Sequence, residues 1–187
     1  MVTCVKKIVC IGSSAGGLAP TIEFFKQMAP DSGRAFVVIQ HLQADKPSLT
    51  PSILSRITSM PVSAAVHHEA VLANHVYTIA PDTQLTVVSG RFQVTKRSET
   101  SAFHKPFDRF LNSLAVNSGT EATAVVLSGY DGDGSEGFSA IKAHGGVTFA
   151  QDRSAQVSEM PRHAMATGCV DHILNPVQIA EQISAQT

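Results

Sequence analysis

The chain is poor in charge and in cysteine, and it has no long apolar run. Charged residues make up 16% of the 187 residues, and fourteen basic groups almost balance fifteen acidic ones for a net charge of −1. That balance gives no reason to expect nucleic acid or an anionic membrane as partner. No apolar run approaches the ~18 residues that a membrane span needs. The N-terminal MVTCVKKIVCIG has too short an apolar stretch (Ile8 to Ile11) to serve as a signal peptide. The three cysteines, Cys4, Cys10 and Cys169, are odd in number and lack metal-ligand spacing. They suit a reducing cytoplasm, with Cys10 read as a small core residue. No repeat, linker or low-complexity tract interrupts the chain. With 43% hydrophobic residues, it reads as one globular domain over 1–187.

Short apolar runs alternate with helical patterns at both ends. Ile8 to Ile11, Ala35 to Ile39, Ala122 to Leu127, Val147 to Ala150 and Val170 to Leu174 read as strands. Helices are expected over Thr21 to Met28 (opened by Pro20), Pro47 to Ile57, Pro106 to Val116, Phe138 to His144, Pro161 to Thr167 and Pro176 to Ala185. In the middle, Val76 to Ala80, Leu85 to Val88 and Phe92 to Thr95 are β-type, with Ser89-Gly90 as a hairpin turn between the last two. The fold class expected is α/β: a doubly wound, mainly parallel sheet with flanking helices and an inserted antiparallel β-hairpin.

In such a sheet, sites form beyond the carboxyl ends of the strands. Three strand-end loops carry the chemistry. The first, after Ile11, is GSSAGG, with Ser13 and Ser14. The second begins at His41. The third, SGYDGDGSEG, holds Asp131 and Asp133. A hydroxyl, an imidazole and a carboxylate are the parts of an acyl-transfer triad, in which a neutral histidine takes the serine proton and a carboxylate orients the ring. Backbone N–H groups at a helix N-terminus can hold the oxyanion, and Gly16 and Gly17 allow close approach there.

Each loop has a plainer reading. A Ser/Gly loop after a first strand also suits a phosphate, although G-x-G-x-x-G is incomplete and no Walker lysine follows. G-x-S-x-G is matched, but the order Ser, His, Asp is not that of the α/β-hydrolases. His41 could cap its strand, and DGDG could be a turn. A calcium loop is excluded, because Glu136 stands where glycine is needed and Lys142 where glutamate is needed. The remaining histidines are scattered without metal spacing, so no metal is expected.

The segments IGSSAGG, VVIQHL, VYTIAP, FHKPFDRFLNSLA, VVLSGYDGDGSEGFSAIKAHGG and FAQDRSAQVSEMPRHAMATGCVDHIL occur in one order. Together, from about Ile8 to Pro176, they resemble the catalytic domain of the chemotaxis protein-glutamate methylesterases, the CheB type. The resemblance implies a hydrolase that removes methyl groups from glutamate esters on chemoreceptor cytoplasmic helices, releases methanol and in many members deamidates glutamines. It implies no cofactor and a cytoplasmic location. The family's serine falls on Ser14, its histidine on His41 and its aspartate on Asp133. Ala15, Gly16, Gly17 and Tyr130 are candidate oxyanion or substrate-binding positions, and Met160 of the Met-Pro-Arg motif is either a packed loop residue or a substrate contact.

Two departures stand out. The chain starts at the first strand of the esterase, so a receiver domain is not expected in it; a receiver or a methyltransferase could belong to a longer protein. The family's T-G-M-G-x-D-G reads SGYDGDG here, with Tyr130 for methionine and Asp131 as an added charge that could alter the histidine or the substrate. The alternatives that remain are a receptor- or methyltransferase-binding module that has lost turnover and a nucleotide-binding domain built on the Gly12 to Gly17 loop.

Overall fold

A computed structural model describes residues 5–41, 48–97 and 105–186. Its frame is a seven-stranded sheet in the order β3-β4-β2-β1-β7-β8-β9, with every pairing parallel. The strands are β1 (Ile8–Ser13), β2 (Ala35–Gln40), β3 (Val62–Ala64), β4 (His75–Thr78), β7 (Ala122–Val126), β8 (Val147–Gln151) and β9 (His172–Leu174). Strands β5 (Thr83–Val88) and β6 (Arg91–Lys96) form a separate antiparallel hairpin. Its turn residues Ser89 and Gly90 both have positive φ (50° and 73°), the geometry of a two-residue turn that matches strand twist. The expected fold class is thus the observed one.

Every residue of β1 is buried, because helices cover both faces of the sheet. Val9 and Ile11 point into one layer with α1 (Leu18–Gln27), α2 (Thr50–Leu54) and α6 (Pro176–Ser184). There Phe24, Phe25 and Phe36 pack edge-to-face with centroids 5.3, 5.5 and 6.2 Å apart. Ile8 and Cys10 point into the opposite layer, formed by α3 (Pro106–Ser118), α4 (Ser135–Ala143), α5 (Glu159–Ala166) and the hairpin.

Several boundaries differ from those read in the sequence. Helix α1 starts at Leu18, ahead of Pro20, because the first turn needs no N–H donors and proline is tolerated there. Helix α2 is only five residues long, and residue 47, expected to open it, lies outside the described residues. Helix α4 begins at Ser135, inside the expected loop. Strand β3 was not expected: three edge residues, two half-buried and one exposed, show no readable alternation.

Gly12, the first glycine of the loop motif, is a packing position. A Cβ there would overlap the ring of Phe107 in α3, and one at Gly134 would lie 2.6 Å from the same ring. Helix α3 therefore sits against the end of β1 only because glycine leaves room for that phenyl group. Gly12→Ala is expected to cost about 1–3 kcal/mol through overpacking, read by urea unfolding. Wild-type stability in that variant would mean that Phe107 can move aside freely.

Candidate active site

The chain leaves β1 for β2 on one side, and later adds β7 on the other side of β1. That reversal opens a crevice between the carboxyl ends of β1 and β7, the place where parallel sheets of this kind form binding sites. Ser14 follows β1 directly, His41 follows β2, and residues 128–134 follow β7.

Ser128, fully buried, ties these loops together. Its carbonyl accepts the Ser14 N–H (3.0 Å), and its hydroxyl donates to the Ala15 carbonyl (2.8 Å) and accepts the Val157 N–H (2.9 Å). Its own N–H donates to Oε1 of buried Gln151 at the end of β8 (2.9 Å). The Gly17 N–H closes a tight turn on the Ser14 carbonyl (3.0 Å), and Gly16 takes φ +71° inside it, with Gln156 and Ser128 where a Cβ would lie. Within this turn the two serines part. Ser13 is buried with its side chain against Gly17. Ser14 lines a cavity of about 300 Å³ together with Gly16, Gly17, Gln40, His41, Thr50 and Gln156.

Asp133 lies on the far side of His41, and its side chain is only 1% exposed. The Nε2 atom of His41 is 2.7 Å from Oδ2 of Asp133. The same Oδ2 accepts the Phe107 N–H (3.0 Å), and Oδ1 accepts the Asp108 N–H (2.8 Å). These donors belong to the first turn of α3, so the carboxylate sits on the positive end of a helix.

Helix α3 has no side-chain cap from its own N-cap residue, Lys105, and α4 has none from Gly134. Each receives one from the other's neighbourhood. Asp133, just before α4, caps α3, while Asp108 in α3 accepts the Gly137 N–H of α4 (2.8 Å). Burial and then the neighbouring Asp133 charge raise the Asp108 pKa, against the Gly137 bond and Lys105, which lower it. Lys105 stands 3.4 Å from Asp108 and 3.0 Å from Glu136. Its neighbour His104 lies outside the described residues.

His41 has a second carboxylate. Its Nδ1 is 3.0 Å from Oδ2 of Asp131, whose side chain is 46% exposed. Asp131 is fixed in a left-handed conformation (φ 74°). Its Oδ1 accepts the Asp133 N–H (2.8 Å) and its carbonyl accepts a hydrogen bond from His163 Nδ1 (2.7 Å). Burial acts to lower the His41 pKa, but the Asp133 hydrogen bond and the charges of both carboxylates outweigh it, and the net direction is upward. Below the sheet edge, burial and then Asp133 push the Cys10 thiol well up, so it stays neutral.

The structure thus brings His41, Asp131 and Asp133 into direct contact and puts Ser14 on the same cavity wall; no hydrogen bond links Ser14 to His41 among the described residues. The Ala15 and Tyr130 N–H groups have no protein acceptor among the described residues, whereas the Gly17 N–H is already used within the turn. Tyr130 itself is 55% exposed. Met160 does not line the cavity. It is 1% exposed in the first turn of α5, with its sulfur against Gly129, so it acts on the site from beneath that glycine. No group of three or more metal-ligating side chains occurs among the described residues, and no described helix is long and apolar enough to cross a membrane.

Ser128, Gln156 and Asp108 escaped the sequence reading. Their only signals were a polar residue closing a buried strand, a glutamine in a polar loop, and an acid in a first helical turn. Asp108→Ala, which strips α4 of its borrowed cap, is expected to lower stability by about 1–2 kcal/mol in urea unfolding. Asp108→Asn keeps the acceptor and loses less. Equal losses in the two variants would refute the capping role.

Residues 9–183 match the family model described as CheB methylesterase. The protein-glutamate methylesterase/protein-glutamine glutaminase 2 of Shewanella oneidensis is 31% identical over 182 residues, which span 95% of this chain and 52% of that protein. The protein-glutamate methylesterase/protein-glutamine glutaminase of Ralstonia nicotianae is 32% identical over 186 residues, 97% of this chain and 49% of that protein. The chain therefore spans about half the length of these curated relatives. The crystal structure of the Thermotoga maritima CheB methylesterase catalytic domain superposes with a TM-score of 0.88 at 26% identity, covering 97% of this chain and 98% of that one.

Proposed function

The chain belongs to the CheB methylesterase family, and from that premise we propose that it is a serine esterase acting on glutamate methyl esters of chemoreceptor cytoplasmic helices. Methanol is the product, and deamidation of glutamine side chains is a second reaction of the same site. Such a substrate implies work in the cytoplasm and a helical signalling protein as partner. A methyltransferase or receiver domain is a further partner within a longer protein. The observation that carries the reading is the Asp133-held imidazole of His41 on the cavity wall that also presents Ser14.

The chemistry follows from these groups. Nε2 is held by Asp133, so the proton is assigned to Nδ1, the nitrogen that stands 3.0 Å from Asp131. Ser14 Oγ attacks the ester carbonyl while its proton passes to His41, and the imidazolium so formed is stabilised by Asp133. The Ala15 and Tyr130 N–H groups are the available donors for the oxyanion. Collapse of the tetrahedral species breaks the bond to the methoxy oxygen, which leaves as methanol with the His41 proton. Water then repeats the sequence on the acyl-enzyme and frees the glutamate. Met160 supports the oxyanion side by holding Gly129 against Ser14, whose Cβ lies 2.9 Å from where a Gly129 Cβ would be. No cofactor takes part. Among the described residues that line the cavity, His41 is the only one with an ionisable side chain, which suits a neutral ester or amide.

A nucleotide-binding role is disfavoured, because the Ser14 N–H is spent on the Ser128 carbonyl, the Gly17 N–H on the Ser14 carbonyl, and the space beside Gly12 is filled by Phe107. The second carboxylate on His41 favours one other reading, a docking module without turnover. Ser14→Ala is expected to retain the fold and lower methanol release from a methylated receptor by about a thousandfold or more. A fully active variant would remove Ser14 from the mechanism, and a wild-type chain that binds the receptor without releasing methanol would establish the module.

A further inference from the structure

The contact between Asp131 and His41 is not required by the relay, and it conflicts with it. Both ring nitrogens of His41 lie within hydrogen-bond distance of carboxylate oxygens, 2.7 Å at Nε2 and 3.0 Å at Nδ1. A carboxylate only accepts, so carboxylates at both nitrogens favour the imidazolium, hydrogen-bonded to Asp133 at Nε2 and ion-paired with Asp131 at Nδ1. An imidazolium cannot take the proton of Ser14. Asp131 is also held in place: the Asp133 N–H fixes one oxygen, His163 fixes its carbonyl, and the backbone is left-handed at this residue.

We propose that Asp131 is a positioning residue that clamps His41 from the side opposite Asp133, so that the site rests protonated and becomes competent only when Asp131 gives up Nδ1. On release, the Nδ1 proton passes to water, and Nδ1 then accepts the proton of Ser14 as the serine oxygen bonds to the ester carbon. Asp131 thereby moves the working range of the enzyme to higher pH than a single aspartate would set. Among the described residues, the charged groups that bear directly on the ring are both carboxylates. Asp131 and Asp133 face it from the β7–α4 loop. Behind Asp133 stand Asp108 of α3 and its N-cap residue Lys105, and Cys10 of β1 is a thiol pushed up by burial and by Asp133. His163 of α5 reaches only the Asp131 carbonyl, and Gln40 and Thr50 on the α2 side are neutral and bonded to each other. The net upward direction for His41 is consistent with the clamp.

The kinetic part rests on the esterase reading; the clamp itself does not, so two readouts are needed. The substitution is Asp131→Asn, which keeps the oxygen that accepts the Asp133 N–H, tolerates the left-handed backbone and removes the charge. Asp131→Gly, which takes the same φ without strain, is the second variant. The first readout is an NMR titration of the His41 ring in the full chain, assigned by comparison with His41→Gln. The second is the pH dependence of kcat/KM on the neutral γ-methyl ester of a blocked glutamate. The expected result is a wild-type ring that titrates above the ordinary histidine value of about 6.5, with its midpoint lowered in both variants. The acid limb of the rate profile falls with it, so that near about pH 6 the variants are about three- to tenfold faster than wild type. A wild-type ring that titrates at or below the ordinary value, or midpoints and profiles that the variants leave unmoved, overturns the proposal. Midpoints that move while no form hydrolyses the ester uphold the clamp and reject the esterase.

Discussion

A carboxylate buried to 1% exposure has to be compensated, and the site is organised by how Asp133 meets that demand. Its oxygens collect the Phe107 and Asp108 N–H groups of α3 and a ring nitrogen of His41. Three elements distant in sequence, the end of β2, the start of α3 and the loop before α4, are held at one point by this requirement. Unpaired, a charge so deeply placed would cost several kcal/mol.

The exchange of caps between α3 and α4 extends the same constraint. Neither helix supplies its own cap, and each N-terminus is satisfied by an aspartate from beside the other. Their contact is thus fixed by backbone hydrogen bonds as well as by the apolar packing of Phe107 against Phe138, whose ring centroids are 6.2 Å apart. Such rigidity suits the proposed reaction, in which the His41 ring keeps its orientation while Ser14 reacts. Across the crevice Ser128 has the matching role for the turn that carries Ser14. It spends its N–H on the end of β8, its carbonyl on the Ser14 N–H, and its hydroxyl on the Ala15 carbonyl and the Val157 N–H.

The strands and most helices were legible because a parallel sheet covered on both faces needs continuous apolar runs, and IVCIG, AFVVI and ATAVV are such runs. The hairpin was legible from Ser89-Gly90 between alternating segments. Short edge strand β3 and the early start of α4 were not: three residues carry no period, and a helix that borrows its cap from Asp108 shows no capping residue of its own. The separation of Ser13 from Ser14 was similarly out of reach of spacing alone. The resemblance to a known family sharpened the choice of Ser14, and the buried position of Ser13 against Gly17 supplies a physical reason.

From its residues alone the chain determines a doubly wound sheet with serine, histidine and aspartate at the carboxyl ends of strands, because hydrophobic period and strand-end chemistry are local properties. Contacts between loops distant in sequence were decided only by the tertiary structure. Asp131 shows the difference most clearly. In the sequence it is an extra charge in a glycine-rich loop, whereas in the fold its left-handed backbone and the bond from Asp133 turn it onto Nδ1 of His41. Whether a carboxylate reaches an imidazole depends on a few ångströms set by three separate elements, and no spacing along the chain encodes that distance.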